Sequence, residues 1–69
     1  MGMELIVNNK TEKLQNGNKL SAMLLQLNLL DKRGIAVAVN NAVISKPDWE
    51  EFELKENDKI TIIRPTQGG

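Results

Sequence analysis

The residues best placed to do chemistry stand at the end of the sequence, where Gly68 and Gly69 are the final pair. Glycine is about 7% of average composition, so a pair in those two places arises by chance in roughly 0.5% of chains. Lacking Cβ atoms, the two residues can follow almost any backbone path and leave the last carboxylate unshielded. Five extended residues from Pro65 reach roughly 16 to 18 Å. Thr66, Gln67, Gly68 and Gly69 therefore form a thread that a partner's active site could take in. A carboxylate is a poor electrophile, and its simplest activation is attack on the α-phosphate of ATP to give an acyl-adenylate. The phosphate-binding groups and the metal would belong to the partner. A frayed terminus and a truncated linker are the plainer readings of the same two glycines.

Elsewhere the inventory is spare. The chain has no His and no Cys, so it lacks the side chain that titrates near neutrality, the thiolate nucleophile, the disulfide and the usual structural zinc site. A self-contained enzyme is not expected, and no catalytic residue or metal ligand is assigned. Asp48, Glu50, Glu51, Glu53, Glu56 and Asp58 supply six of the nine carboxylates. They fall in expected loops, without the spacing or glycine of a calcium loop. They read either as a solvated face or as a surface that steers toward a basic partner. Nine Lys and Arg against nine Asp and Glu give zero net charge, and scarce aromatics add to the case against nucleic-acid binding. No apolar run approaches the roughly 20 residues that span a bilayer, and the start lacks a signal-peptide pattern. The expectation is a soluble cytoplasmic domain with no nucleic-acid or membrane partner.

The elements that must position the thread can be read along the chain. Residues 1–69 are enough for one small domain, which buries only roughly 60% of its unfolded surface. Met1 and Gly2 look like an addition ahead of a native start at Met3. Met3, Leu5 and Val7 alternate with Glu4 and Ile6, Asn8-Asn9 turns the chain, and Lys10 to Leu14 returns as a hairpin. Leu20, Met23, Leu24 and Leu27 have the spacing of one helix face, with Asn18 the expected N-cap. In Ile35-Ala36-Val37-Ala38-Val39 the β-branched residues fall on one face and the alanines on the other, as in a central strand. Asn40-Asn41 turns into a short strand from Ala42 to Ile44. A loop or single helical turn begins at Pro47-Asp48 and carries Trp49 and Phe52, either core anchors or partner contacts. After a turn at Lys55 to Asp58, with positive φ expected at Asn57, Ile60 and Ile62 mark a last strand. The sum is an α+β roll, one helix across a mixed four- or five-stranded sheet, with 65–69 a flexible tail. Parity puts Ile6, Ala36, Ala38, Thr61 and Ile63 on the face away from the helix, a possible partner surface.

Several of these stretches, in this order and spacing, carry a family resemblance. They are the Val7-Asn8 hairpin, the Leu20 to Leu27 helix, Ala36-Val37-Ala38-Val39-Asn40, Ala42-Val43-Ile44, Trp49, Leu54 to Asp58 and Gly68-Gly69. From Met3 to Gly69 the chain resembles the sulfur carrier proteins of thiamine biosynthesis, the ThiS family of the ubiquitin-like β-grasp superfamily. The resemblance implies a carrier rather than a catalyst, with no cofactor bound by the chain itself. A partner similar to ubiquitin-activating enzymes, an adenylyltransferase using ATP and magnesium, would adenylate Gly69. Sulfur from cysteine, through a cysteine desulfurase persulfide, would convert it to a thiocarboxylate, and thiazole synthase would take that sulfur into the thiazole ring. Three residues depart from the family pattern: Asn57 where Gly is usual, Lys19 in place of a capping hydroxyl, and Pro65 at the root of the tail. The alternatives are the small subunit of molybdopterin synthase, a ubiquitin-like protein modifier, and an RNA-contacting β-grasp module.

Overall fold

Two Asn-Asn pairs build the hairpins of the sheet. In the computed structural model, which describes residues 2–31 and 33–64, Asn8 and Asn9 have φ of 48° and 70°, and Asn40 and Asn41 have φ of 52° and 73°. Positive φ at both central residues is what a type I′ turn requires, and the twist of that turn matches the strands it joins. The first pair connects β1 (Met3–Val7) to β2 (Lys10–Leu14), with Val7 opposite Lys10. The second connects β3 (Ala36–Val39) to β4 (Ala42–Ile44), with Val39 opposite Ala42. A fifth strand, β5 (Lys59–Ile63), lies between the hairpins, parallel to β1 and antiparallel to β3, so the sheet order is β2-β1-β5-β3-β4. The sheet has five strands and is mixed.

Helix α1 (Leu20–Gln26) crosses one face of this sheet. Leu20, Met23 and Leu24 are fully buried against Leu5, Val7, Leu14, Val37, Val39, Ile60 and Ile62. Burial of each such side chain contributes about 1.5–3 kcal/mol. The N-cap expected at Asn18 is corrected to Lys19, which is extended at φ −97° and ψ 152° and makes no side-chain capping bond. Backbone from the distant Trp49–Phe52 segment does the work instead. The Leu20 N–H donates to the Phe52 carbonyl at 2.9 Å and the Ser21 N–H to the Trp49 carbonyl at 3.0 Å. At the other end, Asn28 is left-handed at φ 62°. Its N–H bonds the Leu25 carbonyl and the Leu29 N–H bonds that of Leu24, which is the Schellman closure with buried Leu29 as its apolar latch.

The long connection after β4 is pinned by one aromatic residue. A 3₁₀ turn at Lys46–Asp48 leads into Trp49, which is 3% exposed and donates from Nε1 to the Ile44 carbonyl at 2.9 Å. Phe52 is half-buried and packs against the core. Both aromatics therefore serve the core. Asn57 adopts φ 69° as expected, and the Asp58 carboxylate closes its turn by accepting the Lys55 N–H at 2.8 Å. The sheet edges resist pairing with other chains: β2 carries Lys10, Glu12 and Lys13, and β4 is three residues long.

Candidate functional site

Residues directly opposite in a sheet share a face, so the register shows what the side away from α1 presents. Ile63 lies opposite Ala36, Thr61 opposite Ala38, and Ala38 opposite Val43. Ile6 stands between Thr11 and Lys59, and Glu4 faces Lys13. The five residues expected there, Ile6, Ala36, Ala38, Thr61 and Ile63, are thus brought onto one face. Ile63 is 57% exposed and Val43 74%, while Ile6 and Ala38 are half-buried. The face is divided. Toward the exit end of β5, Ile63, Ala36, Ala38 and Val43 make an apolar patch, while Lys59 and Thr61 of β5 and Glu4, Thr11 and Lys13 of the β2-β1 side are polar.

Val43 was missing from the sequence expectation, although a signal for it existed. A two-residue turn at Asn40-Asn41 sets Val39 opposite Ala42, and therefore Ala38 opposite Val43.

The thread itself, Pro65 with Thr66, Gln67, Gly68 and Gly69, lies outside the described residues. What is described is its root. Since β5 occupies the middle of the sheet, the chain leaves from the centre through exposed Arg64. Ile63, one residue earlier, belongs to the apolar patch of the outer face, so that patch and the departing chain adjoin.

At the two ends of β5 the hydrogen-bonded carboxamides are structural. Asn8 accepts the Ile62 N–H on Oδ1 at 2.8 Å and donates from Nδ2 to the Ile62 carbonyl at 3.3 Å. Asn40 accepts the Lys59 N–H on Oδ1 at 3.0 Å and donates to Asp58 Oδ1 at 3.0 Å. Sequence reasoning assigned both to turns and missed these bonds. Of the acidic segment, Asp58 is held in its turn, Glu53 pairs with Lys19 at 3.2 Å, and Glu56 Oε2 accepts the Glu4 N–H at 3.3 Å. Among the described residues no three acidic side chains gather into a metal-binding cluster, and no helix is long and apolar enough to cross a membrane.

One helix clasped by a mixed five-stranded sheet, with the central strand leading to a diglycine, defines a ubiquitin-like β-grasp protein. A crystal structure of the thiamine biosynthesis protein (ThiS) from Geobacter metallireducens shares the fold, with a TM-score of 0.78 and 20% identity over 97% of this chain and 100% of that one. The ThiS family pattern matches residues 3–69. The chain belongs to the ThiS family, the sulfur carriers of thiamine biosynthesis. A search of curated proteins found no match.

Proposed function

We propose that Gly69 is the point of sulfur attachment. Its carboxylate attacks the α-phosphorus of ATP, with magnesium, in the active site of an adenylyltransferase similar to ubiquitin-activating enzymes, and pyrophosphate leaves. A persulfide sulfur derived from cysteine by a desulfurase attacks the acyl carbon and expels AMP. Thiol reduction of the resulting S–S bond leaves a C-terminal thiocarboxylate, whose sulfur passes to thiazole synthase. The chain acts as the substrate of these enzymes. ATP and magnesium are bound by the partner.

The observation that supports this reading is the reach of the family match, which runs from residue 3 to residue 69 and so extends over the diglycine. The exposed Ile63, Val43, Ala36 and Thr61, with half-buried Ala38 and Ile6, supply a docking face beside the root of the thread. The body docks on that face while Thr66, Gln67, Gly68 and Gly69 enter the slot.

The test is intact mass spectrometry after incubation with the activating enzyme, ATP, magnesium, the desulfurase and cysteine. Exchange of one oxygen for sulfur is expected, and deletion of Gly69 should abolish it with the circular dichroism spectrum unchanged. Isopeptide conjugates to lysine, or adenylation that persists without Gly69, would overturn the reading.

A further inference from the structure

The two neighbours of β5 support its final residues unequally. On one side β3 stays paired to the end, with Val37 opposite Ile62 and Ala36 opposite Ile63. On the other side the register with β1 stops at Val7 opposite Ile60, where the chain turns away. The Asn8 side chain takes up the ladder at that point. Its own N–H bonds the Ile60 carbonyl at 2.9 Å, and its carboxamide then bonds both the N–H and the carbonyl of Ile62. One side chain thus stands in for the next strand residue, across 54 positions of sequence.

We propose that Asn8 is a positioning residue for the C-terminal segment, setting the direction in which the chain leaves β5 toward the partner's slot. The proposal rests on the carrier reading for its effect on rate. Seven residues beyond Ile62 span about 23 Å when extended, so a turn of about 20°, the usual angle between neighbouring strands, displaces the far end by about 8 Å. With the body docked, threading is an intramolecular event whose rate depends on how often the carboxylate points at the slot. Asn40 provides the control. Its carboxamide braces β5 at Lys59, the end remote from the exit.

Asn8→Gly keeps the positive φ of the turn while deleting the carboxamide, and Asn40→Gly does the same at the other end. The experiment compares single-turnover adenylation at saturating activating enzyme with amide exchange in the free proteins. For Asn8→Gly, Ile62 should exchange at least about 10-fold faster, docking affinity should stay within about 2-fold, and adenylation should slow about 3- to 10-fold. Asn40→Gly should adenylate at the wild-type rate. Asn8→Asp, which still accepts the Ile62 N–H but cannot donate to its carbonyl, should fall between Asn8→Gly and wild type. Equal rates for wild type and Asn8→Gly, or equal slowing by both glycine variants, would overturn the proposal. If wild type itself is not adenylated, the carrier reading fails. The positioning claim is then decided by residual dipolar couplings of the Arg64 amide, which Asn8→Gly must reorient; unchanged couplings overturn it.

Discussion

A carboxamide sets N–H donors beside a C=O acceptor, as a peptide group sets its N–H beside its carbonyl, and three side chains use that likeness. Asn8 and Asn40 brace opposite ends of β5. Gln26 joins α1 to the end of β2 by donating to the Lys13 carbonyl at 2.7 Å and accepting the Gln15 N–H at 2.9 Å. The turn role of Asn8 and Asn40 was legible in the sequence, because a tolerance for positive φ is a property of the residue itself. Their second role was not, since Ile62 becomes a neighbour of Asn8 only after the sheet assembles. Asn57 has the first role alone among the described hydrogen bonds, at φ 69°. Asn57→Gly should therefore be neutral or stabilising by up to about 0.5 kcal/mol, whereas Asn57→Ala should cost about 1–2 kcal/mol in urea unfolding.

For the strands and the helix, apolar periodicity was informative and end chemistry less so. Leu20, Met23 and Leu24 face the core as their spacing requires, and alternation in Leu5, Val7, Ile60 and Ile62 fixes which side of each strand is buried. The start of α1 was misread because local sequence offers only local caps. Asn18 is the natural candidate by type, yet the acceptors for the first helical N–H groups arrive from Phe52 and Trp49. The Asn18 backbone is engaged differently, its carbonyl accepting the Leu54 N–H at 2.6 Å. Asn18→Ala should thus change stability by less than about 0.5 kcal/mol, against the roughly 1 kcal/mol typical of losing a working N-cap. Chemical denaturation followed by circular dichroism distinguishes the two. A loss of 1 kcal/mol or more would restore Asn18 to the capping role.

At the scale of the molecule, the face away from the helix combines an apolar patch with the exit of the chain, and the two can be tested separately from the fold. Ile63 is more than half exposed, so Ile63→Glu should alter stability by no more than about 0.5 kcal/mol. Its introduced charge should weaken binding to the activating enzyme at least about 10-fold, read by titration calorimetry. Unchanged affinity would remove Ile63 from the docking face. The placement of β5 has a consequence for how the protein is made. This strand is the latest in chain order, yet it forms the middle of the sheet, and its pairing of Ile6 with Lys59 joins opposite ends of the sequence. Until this strand emerges from the ribosome the two hairpins have no strand between them, so the sheet closes only after β5 has been made. A chain interrupted before β5 therefore lacks both the middle of its sheet and the diglycine, so a chain that carries the diglycine also carries the strand that closes the fold.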